Sequence, residues 1–273
     1  MIVKFNPYKK LAFALFFIMG VSTRILGQDF TSIIKIDTIA NLAAIDNFGN
    51  IFLVTPKNEV LKFSPYGKFL WNYTNNAYGN ISQIDVSDPL RVILYYPDYQ
   101  QMVILNNNLN EISKFSFNDS PNHFITLVAS SNNNGFWVYD SVNRELKKLT
   151  NNFTEDLNTG NIYQRDDLNI QGNFMLNSNE YLFINDASKG IQIFDRFGNF
   201  FKTAVVKPIK QFDVDGNNIA YLEGGILYSY NFITFETKKI NIPIQAGFKD
   251  AVFHNNRLII LNEKGVSLWA LGE

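Results

Sequence analysis

The sequence predicts an all-β chain that closes into a six-bladed β-propeller, and three observations predict it. A turn followed by a strongly apolar strand recurs six times at a nearly fixed spacing. Apolar character then declines from the inner to the outer strands of each unit, and a spare strand precedes the first unit while the last unit lacks its own outermost one. A fixed period of about 40 to 45 residues is what a four-stranded blade requires, because one blade cannot bury both of its faces alone.

The recurring turns and second strands run from Asp46 to Val54, Ser87 to Tyr95, Ser131 to Tyr139, Asn177 to Ile184, Asp215 to Leu222 and His254 to Leu261. Their leading residues are separated by 41, 44, 46, 38 and 39 positions. Each turn is rich in Asn, Asp or Gly, the residues that accept left-handed or tightly turned backbone. Third strands follow at Val60 to Phe63, Met102 to Leu105, Ile191 to Phe194, Leu227 to Tyr230 and Val266 to Trp269. More polar fourth strands come next at Lys68 to Tyr73, Glu111 to Phe117, Phe200 to Val206 and Thr237 to Ile242. Such a gradient is expected when inner strands lie between neighbouring sheets and the outer strand meets water.

The chain stops directly after a third strand, and Ile33 to Asp37 precedes the first repeat. Pairing these two segments would close the ring and leave no unprotected inner edge. An open β-sandwich is the competing architecture, but it has no reason to repeat at this period. The one break in rhythm is a long segment, Asn151 to Gly172, of the kind that is functional or mobile in compact repeats.

The first residues follow the pattern of an export signal: Lys4, Lys9 and Lys10 precede an apolar run from Leu11 to Val21, then a short polar stretch to Gly27. That run is too short to span a bilayer. The expected organisation is a signal peptide over 1–27 and a propeller over 28–273, with Gln28 exposed by cleavage; an uncleaved interfacial anchor is the alternative. The predicted location is the periplasm, beside an outer membrane and held there through protein partners.

Composition removes whole classes of function. The chain has no cysteine, so disulfides, thiolate metal sites and cysteine nucleophiles are excluded. Its 24 Lys+Arg against 25 Asp+Glu give a net charge of −1, which offers no electrostatic footprint for nucleic acid. The two histidines, His123 and His254, sit in no spacing that pairs a base with a nucleophile, and no phosphate-cradling glycine loop occurs. No catalytic residue and no cofactor is therefore predicted.

Residues 135 to 150 (GFWVYDSVNRELKKLT) and 181 to 199 (YLFINDASKGIQIFDRFGN) resemble NHL-type propeller repeats, and Ile51 to Gly67 resembles them more loosely. The Asn-, Ile- and Phe-rich style, with Gln after the cleavage point, is similar to cell-envelope propellers of Bacteroidota. The resemblance implies an interaction platform beside an outer-membrane machine such as type IX secretion or barrel assembly. Metal-dependent lactonases of the gluconolactonase and paraoxonase type also have six blades, which makes a metal-dependent hydrolase or small-ligand binder using the central funnel the alternative. Their characteristic glutamate at the start of the first inner strand has no counterpart at Ala40 to Ala43.

Four features are candidate sites. Second strands end in Asp98, Asp140, Asp186, Glu223 and Glu263, with Thr55 at the first; these are either a carboxylate ring or caps of tight turns. Asp213 to Asn217 opens like a calcium loop but lacks the glycine and glutamate that such a loop needs further on. Tyr95, Tyr96, Pro97, Asp98 and Tyr99, with Trp71, Tyr73 and Tyr78, are the predicted partner-binding patch, since rings at one turn anchor protein partners; strand alternation would instead bury about half of them. Sequons at Asn72, Asn80, Asn118 and Asn152, and the acceptor-like Asp37-Thr38-Ile39 and Asp140-Ser141-Val142, match glycan patterns that an Asn-rich chain also produces by chance.

Overall fold

The computed structural model describes residues 30–118, 122–243 and 246–272. The predicted signal peptide lies outside them, as do Asp119 and Ser120 of the Asn118 sequon. The described residues form six four-stranded antiparallel sheets arranged as the blades of a propeller.

Blade one is β2 (Leu42–Ile45), β3 (Ile51–Val54), β4 (Glu59–Phe63) and β5 (Phe69–Thr74). Blade two is β6 (Gln83–Asp85), β7 (Val92–Tyr96), β8 (Gln101–Leu105) and β9 (Glu111–Ser116). Blade three is β10 (Ile125–Ser130), β11 (Phe136–Asp140), β12 (Glu145–Leu149) and β13 (Glu155–Asn158). Blade four is β14 (Gly172–Ser178), β15 (Tyr181–Asp186), β16 (Gly190–Asp195) and β17 (Phe200–Ala204). Blade five is β18 (Phe212–Asp215), β19 (Asn218–Glu223), β20 (Ile226–Asn231) and β21 (Thr237–Asn241). Blade six is β22 (Phe248–His254), β23 (Arg257–Asn262), β24 (Gly265–Leu271) and, as its outer strand, β1 (Phe30–Ile36).

Ring closure follows the predicted pairing. β1 runs antiparallel to β24 with Ile34 opposite Leu268 and Ile36 opposite Val266; a bulge after Ser32 leaves Ile33 out of register.

The core consists of six apolar clusters, one in each gap between adjacent blades. Alternate residues of a strand therefore point into different clusters. On β3, Phe52 and Val54 pack toward blade two, while Ile51 and Leu53 pack toward blade six. Second strands are buried on both faces, which is why they read as unbroken apolar runs. Each large side chain so buried contributes about 1.5–3 kcal/mol. Outer strands β5 and β21 are largely exposed; β21 (TKKIN) has the polar sequence expected of that position, whereas β5 (FLWNYT) exposes Phe69 and Trp71.

Turn chemistry repeats with the blades. Asp46 accepts from the backbone N–H of Phe48 (2.9 Å) and Asn50 (2.8 Å), and Asp195 does the same for Phe197 (2.8 Å) and Asn199 (2.9 Å). Gly49 closes the first of these turns at φ 78°, where a Cβ would also lie 3.3 Å from the Arg257 side chain.

The segment from Asn151 to Gly172 is built into the structure. It supplies β13 and a short helix, α1 (Ile162–Asp166), whose Ile162 is fully buried between blades three and four together with Ile170. Asn161 caps α1 through Gln164 N–H (3.0 Å), and Arg165 donates to Gly198 O of blade four at 2.8 Å. Five residues are too few to show helical periodicity in the sequence.

Candidate functional site

The antiparallel blades divide the loops between two rims. Turns joining the second to the third strand share one rim with the links between blades. Turns joining first to second and third to fourth strands share the other.

The predicted aromatic patch falls on the first rim, and two of its rings do not reach the surface. Tyr95 and Tyr96 are both fully buried, because an inner strand has a neighbouring blade on each side and alternation offers no solvent face. Tyr95 packs toward blade three, donating its hydroxyl to Ile125 O (2.6 Å) and accepting from Gln100 Nε2 (3.0 Å). Tyr96 packs toward blade one, edge-on to Tyr78 at 5.6 Å. Tyr73 is half-buried in the same cluster, hydrogen-bonded to Glu111 (3.0 Å), and burial pushes its hydroxyl up to about 12. Pro97 opens a 3-10 turn through Tyr99; Asp98, Tyr99 and Trp71 are exposed, Trp71 on the outer strand β5. Tyr73, Tyr78 and Tyr96 are thus brought together as core.

Three of the acidic strand ends act as caps or local ion-pair partners. Asp186 accepts from Ser188 N (2.9 Å) and Gln171 N (2.8 Å), and Glu223 pairs with Lys207. Asp140, fully buried, accepts from Val142 N (3.0 Å), Phe124 N (3.2 Å) and Asn143 Nδ2 (2.8 Å), with His123 Nδ1 at 2.6 Å. Burial works against its charge, but these donors outweigh that and hold the carboxyl below the usual range. His123, Asp140 and Glu145 bring potential metal donors within 4.8 Å of one another. Their partners are local, however: Asp140 bonds His123, and Glu145 pairs with Lys147 at 2.8 Å.

The second rim carries a funnel of about 360 Å³, lined by first strands and their turns from five blades around the propeller axis. Its apolar wall comes from first strands, including Ile84, Met175, Val214 and Val252, and from Val86 just after β6. At its mouth stand Asp85, Asp213, Asp215, His254, Asn47 and Asn177. Just below Ile84, buried Gln83 donates Nε2 to Val128 O and to Met175 O (3.0 Å), tying three blades together beneath the cavity.

A closed belt of side-chain hydrogen bonds surrounds the mouth. His254 Nδ1 meets Asp213 Oδ2 at 2.6 Å, joining blades six and five. Its Nε2 meets Asn47 Oδ1 of blade one at 3.0 Å, and Asn47 Nδ2 donates to Ser87 O of blade two at 3.2 Å. Ser87 Oγ bonds Ser130 Oγ of blade three at 2.5 Å, while Asp85 accepts from Ser130 N at 2.7 Å. Asn132 Nδ2 donates to Asn179 O of blade four (3.3 Å), and Ser178 Oγ to Val214 O of blade five (3.4 Å). The donation to Ser87 turns the Asn47 amide oxygen toward His254, so both imidazole nitrogens face acceptors, an arrangement that favours the doubly protonated ring. Burial lowers the His254 pKa, but the bond and charge of Asp213, with Asp215 and Asp46 behind it, raise it overall above the ordinary value.

The predicted calcium-like stretch at Asp213 is a hairpin, with Asp215 opposite Asn218, and its first carboxylate is committed to His254. Around the funnel the turns carry exposed apolar tips: Phe48 (68%) and Leu90 (64%) between first and second strands, Tyr66 (77%), Phe197 (55%) and Phe235 (66%) between third and fourth. Sequence reasoning passed over these residues. The available signal was register, since Asp46, Ser87, Asn177, Asp215 and His254 occupy equivalent turns of the repeat.

No protein-family model matches the chain, and no curated protein matches it in sequence. Solved structures do match in fold. The WD40 domain of Neurospora crassa Pan2 superposes with a TM-score of 0.61 at 10% identity, covering 90% of this chain and 97% of that one. Selenomethionine-substituted virginiamycin B lyase from Staphylococcus aureus gives a TM-score of 0.57 at 10% identity over 90% of this chain and 88% of the other. BBS1N, solved in complex with ARL6DN, gives 0.55 at 9% identity, covering 91% and 97%. At these identities the likeness is one of fold, and the fold is shared by a lyase and by a domain solved in complex with a protein partner.

Proposed function

We propose that this chain is an exported, non-catalytic propeller that serves as a protein-interaction platform or accessory subunit of a cell-envelope complex at the outer membrane. The observation that carries this reading is the rim with the funnel, where five exposed apolar tips stand around a polar mouth whose His–Asp pair is already bound into the belt. Exposed apolar residues rimmed by polar groups are characteristic of association surfaces. The envelope context rests on the export-signal pattern and the Bacteroidota-like style of the sequence. No helix among the described residues is long and apolar enough to cross a membrane. Attachment through protein partners is part of the proposal. The type IX secretion and barrel-assembly machines are the partners the resemblance implies.

Retrieval of the tagged mature protein from gently solubilised membranes tests the reading. Stoichiometric co-purifying envelope chains are expected, and the combined Phe48→Ser, Leu90→Ser and Phe235→Ser variant is expected to lose them while staying folded. Recovery only as a free monomer under every condition would overturn it. A second reading, a metal-dependent hydrolase or small-ligand binder in the funnel, draws on the His254–Asp213 pair at the cavity mouth. A stoichiometric divalent ion in elemental analysis of the purified protein would favour that alternative.

A further inference from the structure

We infer that the funnel receives a lysine or arginine side chain from an exposed segment of a protein partner. This deepens the platform reading and rests on it. The titratable residues lining the cavity are Asp85, Asp213, Asp215 and His254, so three carboxylates face one imidazole, and no lysine or arginine stands among the described residues that line it. Arg91 outside the lining interacts with Asp85, and even with it and a charged imidazole the three carboxylates Asp85, Asp213 and Asp215 leave the mouth net negative. Low-dielectric walls focus such a field along the cavity axis, which favours an incoming cation. Neutral acceptors are also at hand, with the side chains of Asn177, Asn179 and Ser178 at the mouth.

The wall below is apolar, and this matches the aliphatic stem of a lysine or arginine better than a compact hydrated ion. A polypeptide is favoured over a free amine by the surroundings. Phe48, Leu90 and Tyr66 project from turns of blades one and two on the rim that carries the funnel, where residues flanking the basic one would lie. Asp213 and Asp85 are held in place by His254 and by Ser130, so the negative groups are preorganised before any ligand arrives.

The test uses three probes on the mature protein: acetyl-Leu-Lys-Leu-amide, acetyl-Leu-Glu-Leu-amide and spermidine, with binding followed by calorimetry and by the ring resonances of His254. The lysine peptide is expected to bind at least tenfold more tightly than the glutamate peptide, with affinity falling as salt rises. Asp215→Asn is expected to weaken it severalfold, and Asn177→Lys, which places a cation in the mouth, to abolish it. Circular dichroism confirms that both variants are folded. Equal binding of the two peptides, binding of neither, or binding that survives both variants overturns the inference. Spermidine binding as tightly as the lysine peptide overturns the choice of a polypeptide. The two readings fail separately: a membrane complex that survives Asn177→Lys but not the Phe48, Leu90 and Phe235 substitutions leaves the platform standing without its charged socket.

Discussion

His254 Nε2 lies 3.0 Å from Asn47 Oδ1, a contact between residues 207 positions apart that joins the last blade to the first on the funnel side of the ring. With Asp213 on its other nitrogen, the imidazole bridges three blades. Its charge is thereby coupled to the integrity of the closure.

That coupling predicts a pH dependence with a defined sign. The folded-state pKa of His254 is raised, so its stabilisation is complete below the ordinary imidazole value and fades as pH rises through the folded value. The groups that set this are Asp213, Asp215 and Asp46. Between about pH 6 and pH 9 the Tm of the native protein should fall more than that of His254→Gln, which has no proton to lose. Parallel melting curves across that range check it, and superimposable slopes would contradict it.

Ring closure by β1 makes Ile36 a core residue, packed against Val266 and Leu268 near the beginning of the described chain. Ile36→Ala should cost about 2–4 kcal/mol in urea unfolding. Val205→Ala, at a position 87% exposed, should stay within about 0.5 kcal/mol of the native protein.

Tyr95 and Tyr99 stand four positions apart, and substitution should cost stability at the first and almost none at the second. Tyr95→Phe removes a buried hydroxyl that donates to Ile125 O, at a cost of about 1 kcal/mol. Tyr99 is 55% exposed, and Tyr99→Ala should change stability by less than about 0.5 kcal/mol. Chemical denaturation of the two variants separates a core tyrosine from a surface one.

Asp140 predicts the acid limb. Despite burial, its hydrogen bonds hold its pKa below the usual carboxylate value, so the stability it supplies is present above that value and is lost as pH falls through the folded one. Asp140→Asn should be less stable near neutrality and lose less on acidification below about pH 4. Unfolding free energies at neutral and acid pH give the comparison.

The fold was legible because burial on both faces imposes long apolar runs, and Ile51 to Val54 or Val92 to Tyr96 announce themselves without any partner being known. Closure was legible for a related reason: an unpaired β24 would expose backbone donors and acceptors, and Ile33 to Asp37 was the segment left to cover them. The rings of Tyr95 and Tyr96 misled because composition marks an aromatic turn without saying how far the burial of β7 extends into it. The His254 pair was not legible as local spacing, since Asp213 lies 41 residues away, one blade in register rather than one turn in sequence. A repeat protein places its neighbours at its own period, and motif searches tuned to helices or short loops pass over them.

The pairing of β1 with β24 also orders events in time. Thr31 and Ala270 are 239 positions apart, so as the polypeptide emerges β1 waits for β24 to be made. Blades one to five draw all their strands from continuous stretches of chain and can assemble as each is completed. The sixth stays a three-stranded sheet with an open edge until β1 meets β24, and that interval is when the molecule is most exposed to capture by a stray strand from another copy.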